Sequence, residues 1–151
     1  MEPETTGRLN AILKNCDETG IADFLSEHRD ALIGEKAFAE YIRGCLKKHD
    51  IRQQEAFLAA DIPERYGYRL ITGEKHTRQR DTILRLCLGG KFTLREVTRA
   101  LELYRMPSLY ARVPRDAVLI IAFNTGIYDI HRVNELLEQH GCEPLRPVGI
   151  E

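Results

Sequence analysis

The sequence predicts an all-α protein, a compact bundle of roughly nine short helices. Apolar residues recur at i, i+3, i+4 along most of the chain, the spacing that lines one face of a helix. Glycine or proline punctuates these runs at short intervals. The one unbroken apolar run, within 116–123, has no partner strand in sight and is read as a central helix rather than a buried strand.

Leu9, Ile12 and Leu13 open the pattern, and Ile21, Phe24 and Leu25 repeat it. Phe38, Tyr41, Ile42, Cys45 and Leu46 form a longer stripe that ends at Lys47-Lys48-His49, where cations suit a helix C-terminus. A helix follows over Gln53–Ala60. A second restarts after Asp61-Ile62-Pro63, proline being tolerated in a first helical turn, and stops at Thr72-Gly73. Thr77 is read as the cap of a helix reaching Leu88, stopped by Gly89-Gly90. Thr93 and Glu96 have the spacing of a capping box for a helix through Leu94, Val97, Leu101 and Tyr104. Met106-Pro107-Ser108 breaks it, and Asn124-Thr125-Gly126 closes the apolar run. Asp129 caps a last helix, with Ile130, Val133, Leu136 and Leu137 inward, ending at Gly141.

The 151 residues suffice for one well-buried core. Residues 1–32 read as an acidic helical appendage with Gly34 as a joint, 33–141 as the main helical domain, and 142–151 as a flexible tail whose two prolines and one glycine favour extended backbone. No apolar run is long enough to span a membrane, and the acidic, polar start MEPETTGRLN lacks the form of a signal peptide. Cys16, Cys45, Cys87 and Cys142 form no close pair and are expected to be reduced, Cys45 and Cys87 as core residues, which fits a cytoplasmic protein.

The net charge of −1 conceals an asymmetry: residues 63–112 carry eleven basic against five acidic side chains, while both ends are acidic. A localised basic face is the electrostatic footprint of a polyanion partner. That excess starts where Glu64, Arg65 and Tyr68 share a polar helix face, with Arg69 close by. Arginine grips guanine with two hydrogen bonds and glutamate accepts from cytosine, so these four residues are the candidate base readers. Arg52, Gln53, Lys75, Arg78 and Arg80 are the candidate phosphate contacts. Arg65 and Arg69 are like charges at i, i+4, which slightly disfavours the helix unless an anion lies near. Gly67 inside a helix points to a close approach by another element.

Residues 51–88 resemble the helix-turn-helix of the Cro/lambda-repressor-like (Xre-type) family. Gln53 stands at the early glutamine, Ile62 at the apolar turn position, Leu70 at the inward anchor and Gly73 at the terminal glycine. Ile83 and Leu86 begin the locking helix. Three positions depart from the pattern: Phe57 where a small residue is usual, Asp61 for the turn glycine, and Pro63 where a Ser or Thr cap is common. The resemblance implies a lambda-repressor-like fold at the centre, binding of double-stranded DNA, regulation of transcription without chemistry, and a homodimer.

Nothing in the chain points to catalysis or a cofactor. Neither serine sits in a glycine elbow, Gly89-Gly90 is not followed by the residues of a phosphate loop, and the five histidines are scattered. His140 and Cys142, which could meet a metal only with Cys16 or His131, are a weak signal set aside as chance, and Asp23 with Glu27 reads as a solvated pair. The expectation is therefore a non-enzymatic DNA-binding regulator, the alternative being a helical protein-interaction adaptor that kept the helix-turn-helix shape without binding DNA.

Overall fold

The computed structural model describes residues 5–28 and 36–149, and these are helical, with no strand among them. The chain divides into two compact units, residues 1–34 and 35–151. The break falls two residues beyond the boundary expected at 32, and Gly34 itself lies outside the described residues.

In the first unit, α1 (Thr6–Lys14) starts at Thr5, whose hydroxyl accepts the Arg8 N–H at 3.1 Å. Asp17 then caps a 3₁₀ turn over Glu18–Gly20 by accepting the Thr19 N–H and hydroxyl. The turn runs directly into α2 (Ile21–Glu27), in which Phe24 is buried with its ring against His28.

The second unit holds seven helices among its described residues: α3 (Ala37–Lys48), α4 (Gln53–Ala60), α5 (Glu64–Thr72), α6 (Arg80–Gly89), α7 (Leu94–Leu103), α8 (Pro114–Thr125) and α9 (Ile130–Gln139). The centre of the core is α6, every residue of which from Asp81 to Gly89 is buried. It packs on α4, α7 and α9, while α3 lies across α4, α5 and α7. Its approach to α4 is backbone-close: a side chain at Gly89 would collide with the Ala56 carbonyl and crowd Ala60.

The apolar run expected to form the central helix is helical, as α8, but peripheral. Leu119, Ala122 and Phe123 face inward while Ile121 is 59% exposed. The capping box of α7 is present, with Thr93 and Glu96 satisfying each other's backbone N–H groups at 3.2 and 2.9 Å. Asp129 caps α9 as expected. Thr77 does not cap α6, which begins at Arg80. Instead Thr77 is wholly buried, donates its N–H to the Tyr104 hydroxyl at 2.9 Å and accepts from the Gln79 N–H.

Two Arg-Asp dipeptides, 80–81 at the start of α6 and 115–116 at the start of α8, pair crosswise. Arg115 donates twice to Asp81, at 2.9 and 2.8 Å, and Arg80 donates through both guanidinium ends to Asp116. Each aspartate also sits in the first turn of its helix, where the macrodipole favours an anion. Burial pushes the Asp81 carboxyl up, but the Arg115 guanidinium and the Arg146 N–H overcome that and hold it below the usual carboxylate range.

The segment after α9 is not loose. Leu145 is buried, its N–H bound by the Asn134 side chain at 2.8 Å, and Arg146 donates its N–H to Asp81 at 2.9 Å. Arg115 also holds the carbonyls of Glu143 and Pro144. Buried Arg85 donates to the carbonyls of Leu145, Arg146 and Ala60 at 3.0, 2.7 and 3.2 Å. The expected flexible tail is thus corrected over residues 142–149: long-range hydrogen bonds overrule what proline and glycine imply locally.

The Asp81 carboxyl is more acidic folded than unfolded, so its contribution is complete above the ordinary carboxylate pKa and is lost as pH falls through the lower folded value. Urea midpoints are therefore expected to fall below about pH 4. The variant Asp81→Asn is expected to be less stable at neutral pH and to show a shallower acid decline.

Candidate functional site

The exposed edge of the α4–α5 pair is built by a tight joint. Helix α4 ends at Ala60, and Asp61 adopts the left-handed conformation at φ 54°, ψ 47°, as its short polar side chain permits. The Ile62 N–H returns to the Phe57 carbonyl at 2.9 Å and the Asp61 N–H to the Leu58 carbonyl at 3.2 Å, a Schellman closure with buried Ile62 as its apolar lock. Pro63 occupies the N-cap of α5, one position before the helix, without a side-chain capping bond. Three residues therefore join the helices, and Arg85 anchors the joint from below through the Ala60 carbonyl.

Helix α5 buries Gly67, Leu70 and Ile71 and ends at Gly73, where φ is 87°. The unusual Phe57 is accommodated by Gly67. Phe57 is 1% exposed, and a Cβ on Gly67 would stand 2.6–2.7 Å from three carbons of its ring. At this contact the bulk sits entirely on α4. Phe57 also meets Tyr68 edge to face, with centroids 5.0 Å apart, which fixes one side of a tyrosine that remains 39% exposed.

Of the candidate base readers, Glu64, Arg65 and Tyr68 are exposed on one side of α5, and Glu64 accepts a long 3.4 Å bond from Gln54. Arg65 has no ion-pair partner among the described residues. Arg69 is half-buried and lies 3.5 Å from the Glu74 carboxylate.

Among the candidate phosphate contacts, Lys75 and Arg78 are exposed and unpaired among the described residues. They flank buried Thr77, and His76 stacks on Tyr104 at 4.6 Å, so their connecting segment is anchored to α7's end. Arg52 is exposed but bonded to Glu55 at 2.7 Å. The Gln53 Oε1 is shielded from solvent and has no hydrogen-bond partner among the described residues. Arg80 departs from expectation: its guanidinium is committed to Asp116 and leans on the carbonyls of Pro107 and Ser108. Its role is structural, because Asp116 is buried and needs a counter-charge.

Sequence reasoning missed Arg43 and Lys47. Both are exposed on α3 and unpaired among the described residues, and they line the same cleft as Arg52, Gln53 and Tyr68. Their i, i+4 spacing was a legible signal. Lys47 was read only as part of a helix end.

A larger hollow of about 730 Å³ lies between α3 and α7, away from this edge. At its wall Cys45 is buried, and burial pushes its thiol up to about 11, so the sulfur stays protonated at neutral pH and is no nucleophile. Burial would also raise Glu96, but the Thr93 N–H, His49 at 2.7 Å and Cys45 hold it below the ordinary range. That cluster braces α3 against α7.

Arg80→Ala is expected to lower stability by roughly 3 kcal/mol, because it strands the buried Asp116 carboxylate. Arg65→Ala and Arg78→Ala should stay within about 0.5 kcal/mol of the parent. Denaturant unfolding of the three variants checks both values. Comparison with protein-family models, curated proteins and solved structures finds no match to the chain.

Proposed function

We propose that the chain is a sequence-specific double-stranded DNA-binding transcriptional regulator using a lambda-repressor-like helix-turn-helix, with α4 and α5 as its two helices. One observation supports the reading: the outer face of α5 presents Arg65 to solvent with no ion-pair partner among the described residues, and Lys75 and Arg78, on the segment that follows α5, are likewise exposed and unpaired among them. The nine residues of α5 make a rod about 13 Å long. That rod suits a major groove about 12 Å wide and about 8.5 Å deep.

Arg65, Glu64 and Tyr68 would meet base edges, with Arg69 entering once it leaves Glu74. Lys75 and Arg78 would hold phosphates, joined by Arg52 and Gln53, while Arg80 is withdrawn from that set. The action is steric or recruiting and involves no cofactor or bond-making step. One short helix reads few base pairs, so two copies on a two-fold site are the expected binding unit. The adaptor alternative draws on Leu58, which is 83% exposed on α4 and has no evident use against a duplex.

Duplex binding by fluorescence anisotropy across a salt series tests the reading. Affinity is expected to fall steeply with salt, and Arg65→Ala with Arg69→Ala to abolish it while the fold persists. If neither random nor genomic duplexes bind at about 50 mM salt, where phosphate attraction is strong, the adaptor reading replaces it.

A further inference from the structure

The cleft beside the α4 start has a volume of about 350 Å³, and its walls come from three helices. Arg43 and Lys47 stand on its α3 side, Arg52 and Gln53 at the α4 entrance, and Tyr68 on its α5 side, with Leu46 behind. Arg43 and Lys47 face each other across one helical turn with no carboxylate bonded to either among the described residues. Lys47 lies in the last turn of α3, where the macrodipole favours a cation, and Arg43 one turn earlier adds a second positive charge to the same wall. The buried Gln53 Oε1 beside them has no hydrogen-bond donor among the described residues, and as an acceptor it adds nothing to anion binding, so the preference of the cleft rests on its cations. Arg52 is already bonded to Glu55, so the uncompensated charge of the cleft comes from α3.

We propose that this cleft is a phosphate clamp, in which Arg43 and Lys47 of α3 grip a phosphodiester of the duplex next to the groove entered by α5. The inference deepens the DNA-binding reading and rests on it. It moves part of the nucleic-acid footprint onto a helix outside the α4–α5 pair. Guanidinium and ammonium groups suit a phosphate oxyanion, and Tyr68 ties the cleft to the reading helix, so the clamp sets the depth and register of α5. The clamp carries no sequence information of its own.

The test uses the full chain with Arg43→Gln and Lys47→Gln together, both on exposed positions, with Arg65→Ala as the comparison and thermal unfolding as the check on fold. Affinity for specific and non-specific duplexes is expected to drop together, by roughly three- to tenfold per lost contact, and the slope of log K against log salt to shrink by about 1 to 2. Arg65→Ala should instead erase discrimination between duplexes while largely keeping the slope. A duplex carrying one neutral methylphosphonate at the clamped position should weaken the parent and leave the double variant no weaker.

If the parent binds duplex and the double variant keeps its slope, the clamp is overturned and the DNA reading stands. If the parent binds no duplex, both fall. Inorganic phosphate, titrated at constant ionic strength against the Arg43, Lys47 and Gln53 amide signals, separates a free-anion site from a nucleic-acid one: shifts with phosphate and none with duplex overturn the proposal.

Discussion

The crossed pairing of Arg80 with Asp116 and Asp81 with Arg115 is the constraint on which the second unit is assembled. Both aspartates are buried, and a buried carboxylate without its cation is strongly destabilising, whereas a complete pair adds little net stability. The value of the arrangement is therefore positional. It fixes the start of α6 against the start of α8, and through the Arg146 N–H on Asp81 it fixes the segment beyond α9 as well. Arg85, one turn further along α6, extends the same lattice to the Ala60 carbonyl and so to the joint between α4 and α5. The exposed helix α5 is held by charge placement in the core, at a distance from its own surface.

The joint shows how a large side chain is accommodated between two closely packed helices. The Phe57 ring of α4 lies against Gly67 of α5, where a Cβ would meet it at 2.6–2.7 Å. The large ring of Phe57 is matched by the missing side chain of Gly67, the close complementarity that packed interiors require. Asp61 takes the left-handed conformation and is among the few side chains that adopt it readily. Pro63 supplies no capping hydroxyl. The carbonyl of Pro63 nevertheless receives the first helical bond, from Gly67 at 2.8 Å, so α5 starts without one.

Local signals in the sequence marked most of the helices because each rests on spacing within a few residues. The stripe of α3, the box at Thr93 and Glu96, the stop at Gly73 and the cap at Asp129 are all of this kind. What escaped the sequence depends on partners far along the chain. The burial of Asp81 and Arg85 in α6 depends on partners 34 and 60–61 residues away. The same partners hold residues 142–149, and Asp116, 36 residues on, removes Arg80 from the exposed cations. The hydrophobicity of 116–123 overstated the depth of α8, since a run without charges looks central whether or not one face meets solvent. The exposed face of α5 was legible because its polar residues need no partner within the protein.

Arg85 has a consequence for the order in which the chain acquires structure during synthesis. Two of its three carbonyl acceptors belong to Leu145 and Arg146, yet α4, α5 and α6 leave the ribosome some sixty residues earlier. A nascent chain exposed only as far as α9 would carry a desolvated guanidinium with a single acceptor, beneath the joint it supports. The joint between α4 and α5 thus gains its full set of buried hydrogen bonds only once residues 145 and 146 are in place, a dependence on distant chain rather than on local folding.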